Sequence, residues 1–369
     1  MRFLVAGLIL IAVGVSMAEW LRRNPIDAKA GADAAPKVTA LSEPMKALIA
    51  TGAPGPEVAA DANGFIAAVK SLEVNDTGDG FVTRLRGECS VRALASGKDF
   101  AVAVVAVKDL TGLVKVPAMG DVSVLSVRPA AVSAVAVDGA TVWWAEGGQL
   151  WSVGADGVPR RSVTFTAAGI AAVAARGDEV LAVLVPRDGD PFSTEPTGAV
   201  VRIRGKDVSV VVGELVRPHD ALLAGDDVFF VAGYPSGLMR ASLDGAFSAR
   251  IAERADGPIA FDGDGVVHRF PQSNAPEVRR VARAGGSLVT LLRGDADWLV
   301  AAAGLTHYTS TGIGARLHVV RPGAEARDVL KLEGAPRGLA LAGDRVVVAT
   351  LGDDGATRLR VAVDAPARP

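Results

Sequence analysis

One recurring pattern constrains this chain more than any other. An alternating run leads to a Gly/Asp turn, a hydrophobic strand, a loop and a second strand ending near Gly. The turn and the strand after it read SGKDFAVAVVA, VDGATVWWAE, ARGDEVLAVLV, AGDDVFFVAG, GDGVVHRF, AAGLTHYTS and AGDRVVVAT. The first hydrophobic residues after these turns are Phe100, Val142, Val180, Val228, Val266, Leu305 and Val346, about 38–48 residues apart. The second strands recur in step as GLVKVPAMG, QLWSVGADG, GAVVRIRG, GLMRASLDG, EVRRVARAGG and RLHVVRPGA. Within each unit the hydrophobic period is two, which rules out a helical solenoid. The unit length is that of a four-stranded propeller blade, and a β-sandwich would not repeat at it.

The pattern therefore predicts an all-β protein, a β-propeller of seven four-stranded blades, with six as the alternative count. A single blade cannot bury both faces. Packed around an axis, each blade covers its neighbour and the ring leaves no open end. The last unit, within 339–364, supplies only three strands before the repeat stops. The missing outer strand is expected from the N-terminal side, with residues 81–87 pairing against that unit and tying the chain ends together. Trp143 and Trp144 lie in the second strand of their unit, so alternation should send their rings to opposite faces, each against a neighbouring blade.

Trp143-Trp144-Ala145-Glu146 resembles the Tyr-Trp-Thr-Asp signature of the YWTD propellers. GLMRASLDG and EVRRVARAGG resemble the strand after that signature in these and in NHL-like and TolB-like bacterial propellers. The resemblance spans roughly residues 80–369 and implies the propeller fold. YWTD domains have six blades, against seven units here, and only one unit approaches the full signature. These families are mostly binding scaffolds with some enzymes among them, so the resemblance carries little about activity.

Residues 1–23 read as a signal peptide or N-terminal membrane anchor. Phe3 to Ala18 is apolar and uncharged after Arg2, Ser16-Met17-Ala18 has small residues where signal peptidase cuts, and Trp20 and Leu21 could extend a span. Arg22 and Arg23 favour keeping that end of the apolar run in the cytoplasm. No cysteine is available there for a lipid anchor. Membrane contact is expected only through residues 3–21. Residues 24–79 form an Ala/Pro-rich linker with short helices, one starting near Pro44 and one over about 61–73, where Phe65, Ile66, Val69 and Leu72 share a face and Asp61 or Asn63 can cap. The propeller takes 80–369. This order predicts a periplasmic or cell-surface protein, tethered to the inner membrane if the leader is uncleaved.

Charge excludes one function class. Lys and Arg total 39 against 41 Asp and Glu, with no basic stripe, so no nucleic-acid partner is expected. Cys89 is the only cysteine, so no intramolecular disulfide forms, and it reads as a small, partly buried strand residue. There is no glycine-rich phosphate loop, His-Glu-x-x-His motif or cysteine cluster.

The candidate ligand rim is His219, Asp220, Asp188, Asp190 and Asp353. His219-Asp220 falls where the outer strand of one blade leads into the inner strand of the next, at the mouth of the channel. Asp188, Asp190 and Glu195 sit on the longest second-to-third-strand loop (186–198) on the same face, and Asp353 and Asp354 on the corresponding loop 351–357. His268 and His307 occupy the position of Trp144 and Phe230 in consecutive units, so they could meet across one interface as a metal pair; substitution for an aromatic is the plainer reading. His318 lies in a strand and has no assigned role. VNDTGDGFVTRLR (74–86) imitates a calcium loop, but Arg86 stands where a bidentate Glu is required, so a turn between helix and closing strand is expected. No cofactor is assigned; a divalent cation has no motif to support it.

Two functions compete. The first is a non-enzymatic extracytoplasmic binding or scaffold module, a monomeric ring contacting a protein or glycan partner of the cell envelope through the loop rim around the channel. The alternative is a metal-dependent funnel hydrolase of lactonase type.

Overall fold

The computed structural model describes residues 41–53, 61–128, 131–190, 193–271, 276–294, 296–310 and 314–363. The leader expectation over 1–23 lies outside them, as does the linker up to residue 40. Among the described residues, two helices and 29 strands follow in order. Helix α1 (Glu43–Leu48) and helix α2 (Ala62–Leu72) are the two sequence-expected helices; Asp61 caps α2 by accepting from the Gly64 amide at 2.9 Å. Strands β1 (Glu73–Gly78) and β2 (Phe81–Gly87) precede the repeat.

Blade 1 is β3 (Ser90–Ala95), β4 (Phe100–Val107), β5 (Leu110–Pro117) and β6 (Ser123–Arg128). Blade 2 is β7 (Ala134–Asp138), β8 (Thr141–Glu146), β9 (Gln149–Val153) and β10 (Pro159–Thr164). Blade 3 is β11 (Ala168–Arg176), β12 (Glu179–Pro186), β13 (Gly198–Arg204) and β14 (Asp207–Leu215). Blade 4 is β15 (His219–Ala224), β16 (Asp227–Ala232), β17 (Gly237–Ser242) and β18 (Ser248–Glu253). Blade 5 is β19 (Asp256–Phe261), β20 (Gly265–Phe270), β21 (Glu277–Ala282) and β22 (Leu288–Arg293). Blade 6 is β23 (Trp298–Ala302), β24 (Leu305–Thr309), β25 (Arg316–Val320) and β26 (Arg327–Lys331). Blade 7 begins with β27 (Ala335–Ala342), β28 (Arg345–Leu351) and β29 (Thr357–Ala362).

The first strand of each blade touches the first strand of the next in cyclic order, and β27 touches β3, so the ring is closed at seven blades. All ladders are antiparallel. The second-to-third-strand loops and the links between blades therefore share one face, here the upper face, and the first-to-second-strand turns lie on the lower face.

Blade 7 closes as the sequence predicts. β2 pairs antiparallel with β29, from Phe81 opposite Ala362 to Gly87 opposite Thr357. The expectation of a bare turn between the helix and this strand is corrected. Residues Glu73–Gly78 form β1, a fifth strand outside β2, and the turn is confined to Asp79-Gly80. A second clasp lies on the lower face, where the Gly97 amide donates to the Leu341 carbonyl and the Gly343 amide to the Gly97 carbonyl, both at 3.0 Å. Cys89 falls in the link between β2 and β3 rather than in a strand, half-buried, and burial pushes its thiol pKa up.

The core is a series of interblade layers. Trp144 packs with Val102, Val104 and Leu113 of blade 1, while Trp143 packs on the opposite side with residues of blade 3, as alternation requires. Trp144 stacks on Trp151 with centroids 6.1 Å apart, and its indole N–H donates to Glu146 at 2.8 Å. Glu146 in turn forms a buried ion pair with Arg128, whose guanidinium lies 4.0 Å from the Trp151 ring centre.

The sequence alignment is out of step in two units. Val142, Val180, Val228, Val266 and Val346 all face the preceding blade. Phe100 instead faces blade 2, and its neighbour Ala101 faces blade 7. In blade 6 Leu305 pairs with Ala302 as Asp227 pairs with Ala224 in blade 4. Thr306 is thus the counterpart of Val228, and Tyr308, not His307, is the counterpart of Phe230 and Trp144. A slip of one residue moves a side chain to the other face. His268 accordingly lies on the blade 4 side of its sheet, with Val266, whereas His307 lies on the blade 7 side, opposite Val300. They do not share an interface.

The N-terminal helices lie over part of the ring. Met45 and Leu48 of α1 join the core layer between blades 2 and 3, and the Gly52 amide donates to the Thr164 carbonyl at 2.9 Å. Phe65 of α2 rests on Gly112 of blade 1, where a Cβ would stand 2.3 Å from its ring. Only glycine admits that ring, which fixes α2 against β5.

Candidate functional site

An opening on the upper face spans blades 3 to 5. It is a cavity of about 1100 Å³ between the loop 187–197 and the link from β14 to β15. Its charged wall is Arg187, Asp190 and Glu195 on the loop, Arg217 and His219 on the link, and Asp256 at the start of β19. Arg187 donates to the Phe165 carbonyl at 3.2 Å, which anchors the root of the loop to blade 2. Tyr234, in the loop between β16 and β17, is 71% exposed and lies 6.0 Å beneath the Arg217 guanidinium. An exposed aromatic ring against a cavity-lining arginine is a common feature of recognition surfaces.

The link into blade 4 is sharply bent. Glu214, Arg217 and Asp220 have φ of 54°, 47° and 54°, in the left-handed region that side chains other than glycine rarely adopt. Such conformations persist where surrounding contacts over-determine them. Here the contacts are visible. His219 Nδ1 lies 3.1 Å from the Arg217 carbonyl oxygen and Nε2 lies 3.2 Å from Asp256 Oδ1. Asp220 turns away from the cavity, and its Oδ2 accepts from the Ile259 amide at 2.8 Å. Asp256 also accepts from the Gly257 amide at 2.9 Å.

The electrostatics follow. Burial pushes the Asp220 carboxyl pKa up to about 6, against the hydrogen bond from Ile259. His219 is raised: burial opposes its charge, and the bonds to Asp256 and the Arg217 carbonyl outweigh it. Asp256 is lowered, chiefly by its bond from His219. Both atoms facing the His219 ring are acceptors, and only the imidazolium has two N–H donors to give them. A histidine with both nitrogens engaged has no lone pair to offer a substrate proton.

The structure thus brings His219 and Asp190 into one cavity. Asp188 lies on the same loop outside the cavity wall, and Asp220 lies behind His219. Asp353 belongs to a separate depression of about 720 Å³ between blades 6 and 7, where its neighbour Asp354 is held by Arg358 at 2.6 Å. Sequence reasoning missed Asp256, Arg217, Arg187 and Tyr234. Asp256 had a signal: it opens the first strand of its blade, as His219 opens the first strand of the blade before. Among the described residues, no three His, Cys, Asp or Glu side chains gather as a metal-ligand set.

The chain matches no protein-family profile and no curated protein in sequence. Solved structures do resemble it. A Pyrococcus horikoshii acylaminoacyl peptidase superposes with a TM-score of 0.55 at 12% identity, covering 71% of this chain and 49% of the peptidase. This chain therefore corresponds to about half of that protein. A protein assigned as TolB from Agrobacterium tumefaciens gives a TM-score of 0.46 at 12% identity, over 66% of this chain and 93% of that one. A chain of a nidogen/laminin complex gives 0.44 at 13% identity, over 57% and 85%. At such identities the likeness to the peptidase speaks for fold alone, and the fold it speaks for is the β-propeller.

Proposed function

We propose that this ring is a non-enzymatic binding module of the cell envelope, periplasmic or cell-surface, that takes a protein or glycan partner on its upper face over blades 3 to 5. The single observation that carries the reading is the cavity of about 1100 Å³ with its mixed charged wall, one member of which, Arg217, lies over the exposed Tyr234 ring. Pockets of this size, lined by a few convergent polar groups, are the usual sites of recognition. The engagement of both His219 nitrogens favours binding over proton-transfer chemistry at this cavity.

The test uses the full chain in envelope fractions. Chemical cross-linking followed by mass spectrometry would be compared for the native protein and for Tyr234→Ala and Glu195→Arg. A defined cross-linked partner lost in both variants, with no ester, lactone or peptide turnover in any of them, supports the module. Turnover abolished by His219→Gln would replace it with an enzyme.

A further inference from the structure

His219 joins two blades through one ring. Its Nδ1 faces the Arg217 carbonyl in the link that enters blade 4, and its Nε2 faces Asp256 at the start of blade 5. We infer that His219 is a protonated clasp between these two walls of the cavity, closed while the imidazolium donates to both acceptors and released when it gives its proton to solvent. The neutral ring keeps one N–H. One acceptor then loses its donor, and the link 216–218 is no longer fixed to β19. The inference stands whether or not the cavity takes a ligand.

The groups facing this ring are few and lie on identifiable elements. On its own strand, Asp220 adds a negative charge and binds the Ile259 amide of blade 5. From β19 comes Asp256. From β20, Arg269 donates to the Gly257 carbonyl at 3.4 Å and its charge helps keep Asp256 ionised. Across the cavity stand Arg187, Asp190 and Glu195, and Arg217 lies over Tyr234. Two carboxylates and a carbonyl oxygen thus stand nearest the ring, which is why its charged form is favoured despite burial.

The sign is definite. A histidine whose folded value is raised contributes stability that is complete below the ordinary value of 6.5 and is lost as pH rises through the folded value. The Asp220 carboxyl titrates near 6, so acid removes a supporting charge just below the range in which alkali opens the clasp.

The test is an NMR titration of the full chain carrying labelled histidine and isoleucine, with the four histidines assigned by single His→Gln variants. The His219 ring should titrate above 6.5, and the Ile259 amide should shift in a separate step near 6. Asp256→Asn should lower the His219 midpoint by about one unit or more. Asp220→Asn should lower it by less and abolish the Ile259 step; it also serves if Asp256→Asn does not fold. Hydrogen-exchange protection over 255–260, corrected for intrinsic rates, should fall about tenfold across the His219 transition. In His219→Gln it should show no such step. A native midpoint at or below 6.5, a midpoint unmoved by both Asp variants, or protection unchanged across the transition would overturn the clasp.

Discussion

Blades 3, 4 and 5 pair their buried charges near the turn between first and second strands, whereas blade 6 buries polar groups without partners among the described residues. In the first three, a carboxylate at the turn between the first and second strands is gripped by an arginine of the third strand. Arg202, Arg240 and Arg280 stand in equivalent registers, opposite Leu181, Phe229 and Val267. They grip Glu179, Asp227 and Asp262, all of them buried. Arg283 of blade 5 reaches back to Asp227 of blade 4, and Arg176 of blade 3 bonds the Gly225 carbonyl of blade 4, so the grips also join blades. In blade 6 the counterparts of Asp227, Phe229 and Arg240 are Leu305, His307 and Val319, and that of Asp262 is Ala302. There is no acid and no arginine. His307 is buried with both ring nitrogens lacking partners among the described residues, and the Thr306 and Thr309 hydroxyls are likewise unpartnered. His307 itself takes the column of Leu181, Phe229 and Val267, so blade 6 sets apolar residues where the grip would be and an unpaired polar group where its neighbours are apolar, and the energetic signs differ. A buried carboxylate stabilises only while its arginines remain; an unpaired imidazole costs its desolvation throughout.

That contrast can be broken in order of size. Asp227→Ala leaves Arg240 and Arg283 without their shared carboxylate. It should cost about 2–4 kcal/mol in chemical denaturation, less than a fully buried pair because both arginines reach solvent. A loss below about 1 kcal/mol would show that the grips do not hold the blades. Acid unfolding separates the two regions along the pH axis. Burial depresses His307 to about 4, so its folded form resists the proton that the unfolded chain accepts; stability should fall as pH drops from 6.5 towards 4, by up to about 3 kcal/mol. Glu179 is held down to about 2, first by Arg176, so its contribution should be lost only from 4.5 downwards. A single acid transition confined below pH 4.5 would remove blade 6 as the weak point. His307→Leu should raise stability at neutral pH by about 1 kcal/mol and flatten the profile between 6.5 and 4. The smallest effect belongs to a fully exposed pair. Asp156→Asn breaks its contact with Arg160 on a blade 2 hairpin and should leave the denaturation midpoint unchanged within error.

The repeat was legible because propeller blades differ little in length and each must bury two faces. Seven turn-plus-strand signals pointed to seven blades, with six left as the alternative, and the incomplete last unit pointed to the closing pair of β2 with β29. The registers of blades 1 and 6 were not legible. Leu305 and Phe100 are the first hydrophobic residues after their turns, yet each faces the following blade, because hydrophobicity marks burial and both faces of an inner strand are buried. The arginine column was visible in GAVVRIRG, GLMRASLDG and EVRRVARAGG, but its pairing was not, since its carboxylates lie in a different strand or turn of each unit. At the upper face the sequence pointed to His219 through its place at a blade link.

The sequence by itself determined the ring: a period-two pattern repeated at blade length has no other way to cover both faces of every sheet. Only the tertiary structure decided which charges meet. Asp256 lies one blade beyond His219, and Arg283 one blade beyond Asp227. Neither distance is encoded in local pattern, because it arises from the twist and packing of neighbouring sheets. A propeller sequence specifies its blades one at a time, but its sites form between them.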